Sequence, residues 1–308
     1  MKIFEITDFN DINQNEETIL VLGYFDALHK GHQKLFIEAR KLADKNHSKV
    51  ALITFKESPK VVFAPYEETL LKHVHYPEKR YAKMAEFGVD YLYLMDFTSR
   101  FSKTSALDFI KTYINKLNTT AIVVGFDYRF GSDLQDASYL QRHFSGQVII
   151  VDPVEIEGIK ISSSWIKELI ASGQVATAND LLGFPLSTRG IVSHGEARGR
   201  TIGYPTANLA MIDRTFIPTD GVYVTDVIVQ GKKYRSMTSV GKNITFDGQE
   251  STIEIHIFDF KEEIYGETIE LFWLEKIREM LRFSGAEALV KQLQVDEKIA
   301  RNWSSKAK

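Results

Sequence analysis

The chain has 308 residues, too many for one core of usual size and about right for two domains. Its formal net charge of −3 gives no reason to expect a polyanion such as nucleic acid as partner, so an anionic substrate needs a local site. No cysteine is present, which excludes disulfides, thiolate metal sites and cysteine nucleophiles. The start MKIFEITDFNDINQ lacks a signal-peptide profile and no apolar run reaches the length of a membrane span, so a cytoplasmic location with no membrane partner is the expectation.

Up to about residue 155 short apolar runs alternate with amphipathic stretches: TILVLGYF, KVALITF, VDYLYLMDF, TTAIVVGF and QVIIVDPV, each followed or preceded by a helical segment. That is the pattern of a parallel sheet covered by helices on both faces. In the helix after the first run, Leu35, Phe36, Ala39, Leu42 and Ala43 share one face, with Lys34, Glu38, Lys41 and Asp44 away from it. Residues 162–182 read as two short helices, the first opened by Ser162, Ser163 and Ser164 and closed near Gly173. The joint between domains is expected around Gly183 and Pro185.

Beyond it the rhythm becomes that of strands, in GVYVTDVIV, KKYRSMTSV, STIEIHIFDF and TIELFWL, separated by turns containing QGK, DGQ and YGE. Consecutive strands with short turns imply an antiparallel barrel or sandwich, finished by helices from about Ser284 to Trp303. The expected fold class is therefore α/β plus all-β, with domains at 1–183 and 184–308.

The segment VLGYFDALHKGHQKLF sets His29 and His32 three residues apart at a helix start, where they lie on one side near free amides and the positive end of the dipole. The location suits a phosphate. A metal reading lacks a third ligand nearby, and two surface histidines by chance is the bland alternative. GYFDALHKGH resembles the G-x-F-D-x-x-H-x-G-H signature of the nucleotidyltransferases, which transfer a nucleotidyl group from ATP and release pyrophosphate.

The resemblance implies a Rossmann-like domain in which His29 and His32 stabilise charge on the attacked phosphate, with Gly23, Phe25, Asp26 and Gly31 at the nucleotide. IVVGFDYRFG and ISSSWIK resemble later motifs of the adenylyltransferase half of the bifunctional riboflavin kinase and FAD synthetase family, as do YPEKR, EFGVDYL and DFTSRFSKTSALDFI. They imply nucleotide contacts from Asp127, Arg129, Ser163, Ser164 and Lys167.

Three positions depart from that family's pattern: Ser58 where a histidine is usual, the acidic SDLQDAS where a basic stretch is usual, and Lys167 where arginine is usual. They leave two readings open, an active FMN adenylyltransferase and a degenerate scaffold.

RGIVSHGEARGRTIGYPTANL superficially suggests a phosphate loop, but Gly195 to Gly199 falls one residue short of that spacing and Arg200 stands where lysine is required. GRTIGYPTANL instead resembles the riboflavin kinase signature. The resemblance implies Mg2+ on Thr206 and Asn208, whose spacing of two in an extended segment faces a hydroxyl and an amide oxygen the same way, with Gly199, Arg200, Gly203 and Pro205 at the nucleotide. PTAN as a plain turn is the alternative.

In TIEIHIFDF the alternation sets Ile253, Ile255 and Ile257 on one face and Glu254 and His256 on the other. By resemblance Glu254 is the base for the ribityl 5′ hydroxyl; His256 receives no role. IPTDGVY, SVGKNITFDG, EIYGETIELFWLEKIREMLRF and QLQVDEKIA follow in the family's order, with Ile244 where proline is common. Arg278 and Phe283 resemble the part that closes on flavin. The expected substrates are riboflavin, FMN and ATP, and the products FMN, FAD, ADP and pyrophosphate. A flavin- or nucleotide-sensing regulator is the reading from another class, and the oligomeric state is not legible.

Overall fold

The computed structural model describes residues 1–7, 12, 14–195, 198–242 and 251–304. The chain divides into two compact units. Unit 1 comprises Met1–Lys72 with Pro77–Ser163, and unit 2 comprises His73–Tyr76 with Ser164–Lys308. This division falls between Ser163 and Ser164, so the two short helices before Gly183 go with the second unit.

In unit 1 the elements run β1 (Lys2–Ile6), β2 (Thr18–Leu22), α1 (Lys30–Asn46), β3 (Lys49–Phe55), α2 (Lys60–Phe63), α3 (Pro77–Glu86), β4 (Tyr91–Met95), α4 (Ala106–Phe109) and β5 (Thr119–Gly125). Then come the hairpin β6 (Arg129–Phe130) and β7 (Gln135–Asp136), α5 (Ala137–His143), β8 (Gln147–Val151) and the hairpin β9 (Glu155–Ile156) and β10 (Ile159–Lys160).

Six strands form one parallel sheet in the order β1-β4-β3-β2-β5-β8. Strands β2 and β4 are buried along their whole length, as parallel strands covered on both faces must be. Only Ile6 of β1 is buried, which fits an edge strand. Helix α1 buries Leu35, Phe36, Ala39 and Ala43, the face read from the sequence, while Leu42 is half-buried. The chain leaves β2 to one side through β3 and β4 and returns on the other through β5 and β8, so β2 and β5 flank the switch point where ligands bind in such sheets.

Unit 2 takes up α6 (Ser163–Ala171) from its second residue, then α7 (Val175–Leu182), β11 (Ser187–Ser193), α8 (Arg198–Thr201), β12 (Ala207–Met211) and β13 (Gly221–Val229). It ends with β14 (Lys232–Lys242), β15 (Ser251–Ile257), β16 (Thr268–Arg278) and α9 (Ala286–Asn302). Helix α7 stops at Gly183, whose φ of 82° is the left-handed cap that glycine adopts without a Cβ penalty.

The six strands close an antiparallel barrel in the order β11-β12-β15-β14-β13-β16, sealed by β11 against β16. Closure leaves no sheet edge. The fully buried Trp273 fills the inside and donates its indole N–H to Thr188 Oγ1 at 2.9 Å. A single helix, α9, stands where several were expected after Ser284; its Ala300 packs with Val224, Met237, Phe258 and Leu274. The expected DGQ turn and Ile244 lie outside the described residues.

Candidate active sites

The loop between β2 and α1 is built to present two histidines. His29 is the N-cap of α1, and its Nδ1 accepts the backbone N–H of His32 at 3.2 Å. The two rings stack with centroids 3.7 Å apart. Gly31 lets this happen, because a Cβ there would sit 3.0 Å from the His29 ring.

Phe25, at φ 55° and only 3% exposed, turns its ring against His32 at 5.0 Å. A bulky residue in that backbone region is strained and persists because its surroundings fix it. Part of the fixing comes from Arg80 on α3, 1% exposed, which donates to the Tyr24 carbonyl at 3.0 Å, the Phe55 carbonyl at 2.8 Å and Thr54 Oγ1 at 2.9 Å.

At the ends of β2 and β5 a cavity of about 250 Å³ is lined by His29, His32, Asp127, Lys160 and Ser163. Lys160 is its one cation among the described residues; it pairs with Asp127 and lies 4.5 Å from the Phe126 ring centroid. Burial, and then the charge of Lys160, hold His29 down at about 4. Burial, the neighbouring His29 and the same lysine hold His32 well below the ordinary histidine range. Both rings are therefore neutral at pH 7, able to donate or accept a hydrogen bond but carrying no charge.

A second cavity of about 720 Å³ shares the wall Leu22, Gly23, Tyr24, Asp127 and Tyr128 with the first. Its own lining is aromatic: Phe55, Phe63, Phe97, Phe101 and Phe109. Phe97 meets Phe55 at 5.0 Å and Phe101 at 5.4 Å, both edge to face. Volume and lining suit a flat apolar ring system with a polar end at the shared wall.

In unit 2 the polar residues form a row across the barrel. Asn208 stands opposite Ser193 on one side and opposite Glu254 on the other, and Glu254 stands opposite Ser239. Directly opposed residues share a face with Cβ atoms about 4.5–5.5 Å apart. Ile253 and Ile255 are buried on the other face of β15, so the row lies outside the barrel core. Thr206 precedes Asn208 by two residues on the same strand entry.

Gly195 passes so close that a Cβ there would lie 2.0 Å from Asn208 Nδ2. His256 bonds through Nδ1 to the Pro205 carbonyl at 2.7 Å, and Tyr204 donates its hydroxyl to Glu297 of α9 at 3.1 Å. A hydroxyl and an amide oxygen beside a carboxylate are hard donors of the kind magnesium accepts, together with phosphates and water. No group of three histidine or acidic ligands for a softer metal occurs among the described residues.

A family model for FAD synthetase matches residues 11–165, and one for riboflavin kinase matches residues 182–304. A relative from Listeria monocytogenes, "Bifunctional riboflavin kinase/FMN adenylyltransferase", is 39% identical over 97% of this chain and 95% of its own. The chain belongs to the bifunctional riboflavin kinase/FMN adenylyltransferase family. A Bacillus subtilis member with the same name is 33% identical over 99% of both chains. A crystal structure from Streptococcus pneumoniae, described as a macrolide-efflux protein, superposes with a TM-score of 0.95 at 51% identity over 98% of this chain and 99% of that one. No helix of this chain is long and apolar enough to cross a membrane among the described residues. Full-length family members named for both activities favour the two-activity reading over the scaffold and sensor readings.

Of the residues read from the family's adenylyltransferase motifs, Gly23, Phe25, His29, Gly31, His32, Asp127 and Ser163 line the small cavity. Asp26 is buried and not part of that lining, and Ser164 and Lys167 belong to unit 2, where the Lys167 ammonium lies 5.1 Å from the Phe216 ring centroid. Arg129 lines the aromatic cavity and pairs with Asp136 at 3.3 Å.

The acids of SDLQDAS have local partners. Asp133 accepts the Ala106 N–H at 2.8 Å, and Asp136 caps α5 through Ser138 at 3.1 Å and Tyr139 at 3.2 Å. The Ala106 N–H holds the Asp133 carboxyl below its ordinary range, and the Ser138 hydroxyl, donating at 2.6 Å, followed by the Tyr139 N–H, does so for Asp136.

From the kinase motifs, Asn208 and Glu254 stand side by side on one face, Thr206 lies just before β12, and the turn before it is closed by Tyr204 N–H on the Gly199 carbonyl at 2.8 Å. Arg200 on α8 donates to the Tyr265 hydroxyl at 2.9 Å, while Gly203 and Pro205 lie in the turn itself. Arg278 Nε and Nη2 bind the fully buried Asp296 at 3.0 and 2.7 Å, tying β16 to α9, with the Phe283 ring centroid 5.8 Å from the guanidinium carbon.

Sequence reasoning missed Lys160, Arg80, His256 and the aromatic cavity. Lys160 stands immediately before ISSSWIK, so its place was visible even though its partner was not.

Proposed function

We propose that unit 2 transfers the γ phosphoryl group of ATP to the 5′ hydroxyl of riboflavin, giving FMN and ADP, and that unit 1 joins FMN to the AMP part of a second ATP, giving FAD and pyrophosphate. The kinase half rests above all on the register that sets Asn208 against Glu254, two residues after Thr206. Thr206 and Asn208 would hold magnesium through their side-chain oxygens, and the ion when bound would neutralise the phosphates. Glu254 takes the proton of the attacking hydroxyl; the rigid strand holds the carboxylate beside the two oxygen donors. The boundary between the two activities is assigned at 183/184, after α7, next to the start of the kinase match at residue 182.

In unit 1 the flavin ring enters the aromatic cavity with its phosphate toward the shared wall. A phosphate oxygen of FMN attacks the α phosphorus of ATP, and pyrophosphate leaves. His29 and His32, being neutral, serve as hydrogen-bond donors to the phosphoryl oxygens, and Lys160 leaves Asp127 to meet the phosphates. That division of labour is supported by the depressed histidines and by Lys160, the one cation among the described residues of the cavity. The loop strain at Phe25 and the clamp from Arg80 supply the positioning.

One incubation tests the reading. Purified chain with riboflavin, ATP and magnesium should yield FMN and then FAD on chromatography, with one ADP released for each FMN made and one pyrophosphate for each FAD. FMN without FAD would remove the role given to unit 1, no product would remove that of unit 2, and FMN supplied directly with no FAD formed would then remove that of unit 1. Replacing His29 and His32 by alanine should abolish FAD formation and leave FMN formation within about twofold.

A further inference from the structure

We infer that His256 is a positioning residue for riboflavin phosphorylation, clamping the Pro205 carbonyl so that Thr206 and Asn208 present their oxygens to magnesium; this rests on the kinase reading above. The alternation of β15 places His256 on the same face as Glu254, one repeat of about 6.8 Å along the strand. Its Nδ1 lies 2.7 Å from the Pro205 carbonyl oxygen. A carbonyl can only accept, so Nδ1 carries the proton and the ring donates.

The acceptor's place in the chain gives this bond its consequence. The peptide between Pro205 and Thr206 is planar, so a fixed Pro205 C=O also fixes the direction in which the Thr206 N–Cα bond leaves it. The proline ring already restricts φ on the other side. One hydrogen bond therefore sets the entry angle of the segment that carries both metal oxygens.

The imidazole is itself held, with Tyr204 at 5.0 Å and Phe258 at 5.6 Å between centroids, and Tyr204 is anchored to Glu297 of α9. Because Glu254 and His256 share one strand, the base and the clamp keep a constant spacing. A packing role alone would be met equally well by an aromatic ring without a donor.

The test compares His256→Phe, which keeps the ring and loses the donor, with His256→Asn, whose Nδ2–H stands near the Nδ1 position. Two readouts are taken on the full chain: the magnesium concentration giving half-maximal FMN formation, and Mn2+ binding in the presence of ADP by loss of the free-ion EPR signal. Any nucleotide site in unit 1 contributes equally to all chains, so differences between isotherms read unit 2.

His256→Phe should raise both midpoints about tenfold, with the rate at saturating magnesium falling less than about threefold, and His256→Asn should restore both to within about threefold. Midpoints within twofold of the unsubstituted chain for His256→Phe would overturn the inference, as would equal loss in the two variants. Absence of FMN from the unsubstituted chain would overturn the kinase reading and this inference with it, whereas normal FMN formation with unmoved midpoints overturns this inference alone.

Discussion

Adding one methyl group at Gly195 should disable the kinase. A Cβ built there lies 2.0 Å from Asn208 Nδ2, 2.6 Å from Cγ and 2.9 Å from Oδ1, where ordinary contact needs at least 3.4 Å. The backbone at Gly195 is not in the left-handed region, so Gly195→Ala carries no conformational penalty and its effect is steric. The amide must retreat by more than 1 Å or the strand entry must shift by as much.

A displacement of that size in a ligand of the reacting centre costs about 10²-fold in rate, or about 2.7 kcal/mol of transition-state stabilisation. FMN formation from riboflavin, ATP and magnesium measures it. FAD formation from supplied FMN in the same preparation serves as the control and should stay within about twofold. FMN formation within threefold of the unsubstituted chain would count against the assignment of Asn208 to the metal, because a Cβ 2.0 Å away leaves the amide no room where it stands.

Three further outcomes are expected. Lys160→Met should raise the KM for ATP in FAD formation by about tenfold to a hundredfold, the range for losing a charged hydrogen bond, and leave FMN formation alone; a KM within twofold would dismiss it as the phosphate cation. Glu254→Gln should lower FMN formation by about 10² to 10⁴, and a loss below about threefold would remove the carboxylate from the role of base. His29 links stability to pH. Its folded value of about 4 lies below the ordinary 6.5, so the unfolded chain takes up the proton first. The stability it contributes is present above pH 6.5 and lost as pH falls toward 4, amounting to about 3 kcal/mol at about 1.4 per pH unit. All three tryptophans lie in unit 2, so α1 amide hydrogen exchange, corrected for its intrinsic pH dependence, is the measurement. His29→Gln should flatten that dependence, and an unchanged slope would count against the buried neutral ring.

The sequence was most legible where burial leaves no choice. Strand β2 is apolar without interruption because both faces are covered, and β15 alternates because one face is. Strand β1 escaped notice because KIFEI sits at a sheet edge with four of its five residues exposed, so its pattern carries little signal. The kinase row was legible because its members sit in contiguous motifs and the pairing of β12 with β15 brings them side by side. What depends on contacts between distant residues was not. His256 reaches a carbonyl 51 positions away, Arg80 reaches Tyr24 across 56, and Phe55, Phe97 and Phe109 meet only because β3 and the segments after β4 converge at one end of the sheet. The pairing of Arg278 with Asp296 was hidden for the same reason, since the carboxylate lies 18 residues on in a different element.

Around both sites cations are paired with acids, in a chain whose net charge is −3. Four basic residues at or near them are matched by an acid: Lys160 by Asp127, Arg129 by Asp136, Arg200 by Glu263 at 3.8 Å, and Arg278 by Asp296. His29 and His32 add no charge near neutral pH. Such surroundings attract a bare triphosphate weakly, because binding must first break an ion pair whose acid then faces the ligand. A nucleotide that arrives with its own divalent ion has already lost most of that repulsion, and oxygen donors such as Thr206 and Asn208 gain from the ion directly. Both reactions should therefore discriminate between free and metal-bound ATP by charge alone, and the cost of that selectivity is an enzyme that falls silent when the ion is removed.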